Sequence, residues 1–147
     1  MTAGERRFAQ RLEAKLEDDY LCWYDVPVGQ SLRYPDFIVL HPKRGLLILE
    51  VKDWNLATIQ SINKVNVALL TLNGVKHKSN PLEQARQYAH AVTDILQRDP
   101  QLVFSSGRMQ GQLLFPWTYG IVFPNISRKQ FDSTDLGEVL GSVDVLR

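Results

Sequence analysis

"PDFIVLHPKRGLLILEVK", residues 35–52, decides how the chain is read. Two apolar runs, 36–40 and 46–52, flank His41-Pro42-Lys43-Arg44-Gly45, a five-residue connection that holds both the proline and the glycine needed to reverse a strand. The segment therefore reads as a β-hairpin. Symmetric closure sets Leu40 against Leu46, Ile38 against Ile48 and Asp36 against Glu50. Directly opposed residues of an antiparallel pair share a face, with Cβ atoms about 5 Å apart. Side chains alternate along a strand, so Lys52 returns to the face of Glu50 about 7 Å further on. Asp36, Glu50 and Lys52 thus converge at one end of a hairpin that is otherwise apolar on both faces.

That convergence needs a chemical reason. Opposed carboxylates repel, and burying them is costly unless a cation or a proton intervenes. A divalent metal removes the penalty, and oxygen donors without histidine or thiolate partners favour Mg²⁺ or Mn²⁺ over Zn²⁺. The competing reading makes these residues solvated strand ends, with Lys52 paired to Glu50 or Asp53. For a lone acid that reading would win; for an acid pair in register with a same-face lysine, the site wins. A one-residue slip would undo the convergence.

Outward from the hairpin the pattern is mixed α and β. In "AGERRFAQRLEAKLEDD", Phe8, Ala9, Leu12 and Leu16 recur at helical spacing, with Arg6, Arg7, Arg11 and Lys15 off that stripe. "LCWYDVPV" is a short strand ended by Pro27 and Gly29. Residues 57–78 hold two or three further strands, with Asn73-Gly74 offering a tight turn. "SNPLEQARQYAHAVTDILQRDP" carries helix signals: Asn80 as N-cap, Pro81 at the first helical position, Glu83 completing a capping-box-like pattern, and Pro100 just past the end. "YGIVFPN" is another buried strand, and the segment after Ser127 reads equally as helix or loop. This order predicts an α/β sandwich with a central mixed sheet.

Composition narrows the function classes. A chain of 147 residues fits one domain, and a formal net charge of +1 leaves any nucleic-acid surface to a local patch. The single cysteine, Cys22, excludes an intramolecular disulfide framework and suits a reducing cytosol, so a cytoplasmic location is expected. No apolar run is long enough to span a bilayer. "GQSLRYPD" and "NGVKHKSN" contain no phosphate-cradling glycine loop, His41, His77 and His90 lack metal-ligand spacing, and no G-x-S-x-G elbow is present. The chain stops at "SVDVLR" without a polar tail, which points to a longer protein continuing past Arg147.

Pro35-Asp36, followed after a strand and a turn by Glu50-Val51-Lys52, resembles the PD-(D/E)xK signature of the restriction-endonuclease-like nucleases. The wider set, "GE" in the first helix, "PDFIVLHPKRGLLILEVKDW" and "NPLEQA", is closer still to the nuclease-related domain, NERD, and covers Gly4 to "GIVFPN". The resemblance implies a restriction-endonuclease-like three-layer fold, a central mixed sheet flanked by helices, over a single domain spanning 1–147. It implies metal-assisted phosphodiester hydrolysis with Mg²⁺ or Mn²⁺. Asp36, Glu50 and the backbone carbonyl of Val51 would ligate the metal, and Lys52 would orient or deprotonate the attacking water. It further implies nucleic acid, DNA before RNA, as substrate, and a helicase as a linked or associated partner in DNA processing or repair.

Glu5 falls on the apolar stripe of the first helix, where the family's glutamate approaches the metal; the plain alternative is an acid favoured by the helix dipole. Gln84 and Tyr88, at i and i+4, resemble the Q-x-x-x-Y motif of recombination-repair exonucleases. A functional role is expected for Gln84 and packing for Tyr88. Arg6, Arg7, Arg11, Lys76 and Lys78 are the candidate phosphate contacts, each also readable as solvated surface. Trp54 and Trp117 could stack on an unpaired base, with packing the default. The alternative function is a nucleic-acid-binding or interaction module with little or no cleavage.

Overall fold

The structure is a computed structural model, and it describes residues 1–27 and 34–140. Helix α1 (Ala3–Lys15) leads into strands β1 (Leu21–Tyr24), β2 (Phe37–His41) and β3 (Gly45–Val51). After a 3-10 turn come β4 (Ile59–Ile62), β5 (Asn66–Thr71) and β6 (Gly74–Ser79), then helix α2 (Pro81–Leu96), strand β7 (Trp117–Val122) and short helices α3 (Arg128–Asp132) and α4 (Leu136–Leu140). The fold is mixed α/β, with a four-stranded sheet of order β1-β2-β3-β7 and a three-stranded sheet of order β4-β5-β6. The chain forms two compact units: Met1–Lys15, Glu50–Gln84 and Ile121–Arg147 make one, Leu16–Leu49 and Ala85–Gly120 the other.

The second of these units holds the hairpin as far as Leu49, and Glu50 and Val51 at the end of β3 belong to the first. The hairpin register is the one that symmetric closure requires, with His41 opposite Gly45, Leu40 opposite Leu46, Ile38 opposite Ile48 and Phe37 opposite Leu49. Gly45 has φ +86°, and a Cβ there would overlap the Pro116 carbonyl, so the turn accepts only glycine. The turn is closed by a histidine. His41 Nδ1 accepts from the backbone N–H of Lys43 and of Arg44 at 3.1 and 3.2 Å, while Nε2 lies 2.7 Å from Asp19 Oδ2. A nitrogen accepting two N–H groups carries a lone pair, so the ring proton sits on Nε2 and is donated to Asp19. One hairpin face packs Leu46 and Ile48 against Ala89 and Val92 of α2, with Ile38, Leu40, Tyr88 and Trp117 at the margin. Phe37, Val39 and Leu49 on the other face are also buried, as a doubly apolar hairpin predicts.

Strand β7 pairs with β3 in parallel. The amide of Leu46 donates to the Pro116 carbonyl and that of Lys52 to the Val122 carbonyl, both at 2.9 Å, so the two strands advance together. The sheet is therefore mixed, as expected.

In the first unit, α1 buries Ala9 and Leu12 from its predicted stripe. Ile121, Leu136 and Leu140 form a small core with Leu56, Ile59, Leu82, Phe123 and Phe131 around it. Residues 57–78 supply a sheet of their own, whose β5–β6 connection turns on Leu72 and Asn73, with Thr71 opposite Gly74. Gly74, at φ +101°, takes the left-handed position that an Asn73-Gly74 turn would have shared between both residues. Asn80 is the N-cap foreseen for α2: its Oδ1 accepts from the Leu82 amide and its Nδ2 donates to the Asn63 carbonyl, both at 2.8 Å. After Ser127 the chain is helical over Arg128–Asp132 and Leu136–Leu140, the first helix opened by a capping box between Ser127 and Gln130. Among the described residues, no helix is long and apolar enough to cross a membrane.

Candidate functional site

Strand β3 is buried at six of its seven positions, and the sixth residue is an acid. Glu50 is only 3 % exposed. Strand alternation places it on the face of Leu46 and Ile48, so its carboxylate continues an apolar row. A desolvated carboxylate needs a compensating charge or proton. Lys52 Nζ lies 3.9 Å from Glu50 Oε2, at the outer limit of an ion pair, and the lysine side chain is 24 % exposed. The same ammonium stands 6.0 Å from the centre of the Trp54 ring, which lies 6.2 Å from Phe123. A buried acid thus faces a cation that solvent can still reach. The buried Val51 lies between them in the chain, and the Lys52 amide is fixed by the Val122 carbonyl.

Asp36 immediately precedes β2, after a fully buried Pro35. The β1–β2 register runs from Leu21 opposite Leu40 to Tyr24 opposite Phe37. One step further brings Asp25 to Asp36. The Asp25 amide donates to the Asp36 carbonyl at 3.2 Å, and carboxylate oxygens of the two residues come within 4.8 Å. Asp25 also has φ +50°, the left-handed conformation that side-chain-bearing residues take at a cost and Asp tolerates better than most. Sequence reading missed Asp25. The signal is the acid at the end of "LCWYDVP", but it acquires meaning only once β1 is paired on β2.

Glu5 lies in the first turn of α1 as the second half of a capping box. Its Oε2 accepts from the Thr2 amide at 2.9 Å, and its own amide donates to Thr2 Oγ1 at 3.2 Å. Gln84 is half-buried in the first turn of α2, its amide donating to the Asn80 carbonyl at 3.2 Å, and Tyr88 packs against the sheet core. The two therefore stand one turn apart on α2, the tyrosine in the packing role expected of it.

The basic candidates divide. The Arg7 guanidinium is bonded to Asn125 Oδ1, while Arg6 and Arg11 are exposed on α1. Lys76 and Lys78 are exposed on β6, opposite the buried Leu69 and Val67. Every residue of β6 is exposed, and lysines on such an edge also discourage pairing with another chain. Trp117 packs at the hairpin core with its ring 5.5 Å from His90, whereas Trp54 stands beside Lys52.

Carboxylates and a strand-end carbonyl are the donor types that a hard divalent ion takes, and Glu50 is the almost wholly desolvated one among them. His41 is engaged at both ring nitrogens, so it does not compete as a softer ligand. Of the comparisons with known proteins, the family model described as nuclease-related domain, NERD, matches residues 2–124. No curated protein and no solved structure matches the chain.

Proposed function

The chain belongs to the nuclease-related domain family, and from that premise we propose that it hydrolyses phosphodiester bonds of nucleic acid, DNA before RNA, using Mg²⁺ or Mn²⁺. The observation that carries the reading is the almost wholly buried Glu50 with the reachable ammonium of Lys52 at 3.9 Å, inside a PD…EVK pattern. Asp36, Glu50 and the Val51 carbonyl would hold the ion, with Glu5 and Asp25 as the further acids of the set. The β2–β3 register, which sets Phe37 opposite Leu49, is the one from which this ligand pair is expected.

The bound ion would supply Lewis acidity at the phosphoryl oxygen and a water of lowered pKa. The remaining work falls to side chains. Lys52 places a positive charge where the pentavalent phosphorus gathers negative charge, and its ammonium orients the attacking water. Gln84 contacts the substrate near the reacting phosphate. Arg6, Arg7, Arg11, Lys76 and Lys78 contact the backbone away from it, a contribution that salt should weaken steeply. The setting we propose is DNA processing or repair in the cytoplasm. There residues 1–147 serve as one nuclease domain of a longer helicase-type protein, or of one associated with a helicase.

The test is cleavage of labelled single- and double-stranded DNA and RNA with Mg²⁺, Mn²⁺ or EDTA, comparing wild type with Lys52→Ala. Metal-dependent cleavage by wild type, lost in a variant that keeps its circular dichroism spectrum, assigns catalysis to this site. Absence of cleavage with every metal refutes the nuclease reading and leaves a binding module.

A further inference from the structure

Lys52 lies one residue beyond the end of β3, where the pairing with β2 has already ended at Leu49. Three hydrogen bonds take over. The Lys52 amide donates to the Val122 carbonyl at 2.9 Å, Asn125 Nδ2 donates to the Asp53 carbonyl at 2.7 Å, and the Gly4 amide donates to Asp53 Oδ2 at 3.2 Å. Asn125 is itself held by Arg7. The residue after the lysine is therefore tied through its backbone to the exit of β7 and through its side chain to the first turn of α1.

Two details make this more than incidental packing. A Cβ on residue 4 would overlap Asp53 Oδ1, so the carboxylate occupies space that only glycine leaves open. That Oδ1 is also buried without a hydrogen-bond partner, an arrangement that native structures retain where something else requires it. A carboxylate at the N-terminus of the 13-residue α1 gains from the helix dipole, which explains why an acid can occupy the place. The lysine side chain has little of its own to hold it: a 3.9 Å ion pair and a ring 6.0 Å away.

We propose that Asp53 is the positioning residue of Lys52, a clamp set by Gly4 and Asn125 that fixes the strand end from which the lysine addresses its target. The inference rests on the nuclease reading for its consequence, not for its geometry.

The test compares Asp53→Ala, Asp53→Asn and Gly4→Ala in the full chain, each with a thermal melt to establish folding. The first readout is the side-chain NMR signal of Lys52 (the ¹⁵Nζ and ¹³Cε correlations) in metal-free protein. The second is the separation of kcat from KM for the best substrate with Mg²⁺. Asp53→Ala and Gly4→Ala should move the Lys52 signal toward that of exposed lysines such as Lys43. They should lower kcat about tenfold or more, with KM unchanged, because misplacing a catalytic group is costly. Asp53→Asn keeps an acceptor for the Gly4 amide and should recover most of both. If Asp53→Ala fails to fold, Asn125→Ala releases the same clamp through the Asp53 carbonyl and should move the Lys52 signal alike. A Lys52 signal unchanged in folded Asp53→Ala or Asn125→Ala overturns the proposal, as does a loss confined to KM. Should wild type cleave nothing, the nuclease reading fails, and the Lys52 signal still decides the clamp.

Discussion

Replacing His41 by alanine should loosen the hairpin on which the site's register depends. The imidazole makes two kinds of contact, and they can be separated. Nε2 donates to Asp19 at 2.7 Å; that carboxylate is 48 % exposed, so solvent weakens the bond and about 1 kcal/mol is a fair value. Nδ1 accepts from the amides of Lys43 and Arg44 at 3.1 and 3.2 Å; water can replace these on an exposed turn, so each contributes about 0.5 kcal/mol. The ring is 9 % exposed and lies 4.5 Å from Tyr20, which adds about 1 kcal/mol of burial. His41→Ala should therefore cost about 3 kcal/mol and lower Tm by about 6–12 °C for a chain of this size. His41→Asn separates the contributions, because an asparagine oxygen can accept from the amides two and three residues on, as in an Asx motif. It should restore about 1 kcal/mol of that loss while the Asp19 bond stays broken. Thermal denaturation followed by circular dichroism measures both losses. Hydrogen exchange at the Lys43 and Arg44 amides should speed up in His41→Ala and remain slow in His41→Asn. Fast exchange in both variants, or an alanine melt within about 1 °C of wild type, would refute the account of the turn.

Three further outcomes follow from the same geometry. Asn80→Ala should destabilise by about 2–3 kcal/mol in urea titration, since the 1 % exposed side chain caps α2 and also donates to the Asn63 carbonyl; Asn80→Asp should keep the cap yet still destabilise, because it buries a carboxylate whose second oxygen faces the Asn63 carbonyl. Gly45→Ala should cost more than about 1 kcal/mol, because the residue sits at φ +86° against the Pro116 carbonyl, and a variant as stable as wild type would contradict that crowding. Charge reversal at Lys76 and Lys78 on the exposed β6 should leave the melt unchanged; if these lysines meet phosphates, the log–log salt slope of nucleic-acid binding falls by about 1 for each phosphate no longer neutralised, and an unchanged slope removes them from the interface.

What the sequence disclosed was whatever short range decides. The hairpin register was legible because a five-residue connection with Pro42 and Gly45 admits one symmetric closure, and the α2 cap because Asn80-Pro81 encodes it locally. Asp25 was hidden because its neighbour Asp36 is eleven residues away, and the register joining them is set by β1 lying along β2. The separate sheet of β4, β5 and β6 was hidden for a related reason. Alternating apolar residues announce a strand, but they do not announce which sheet will accept it.

Glu5 shows how far a single residue can satisfy two readings. Its position on the apolar stripe argued against a merely capping role, yet its Oε2 is bonded to the Thr2 amide in a complete capping box. Capping does not exclude ligation. A carboxylate has two oxygens, and a bond from the helix N-terminus to one of them fixes the rotamer that would present the other. The two readings therefore separate on mutation to glutamine, which can still accept from the Thr2 amide but offers a metal only a neutral carbonyl oxygen. Glu5→Gln should melt within about 1 °C of wild type. If Glu5 is a ligand, the same variant should also need about tenfold more Mn²⁺ for half-maximal cleavage, a loss of about 1.4 kcal/mol in binding the ion. An unchanged Mn²⁺ requirement would leave Glu5 as a cap alone.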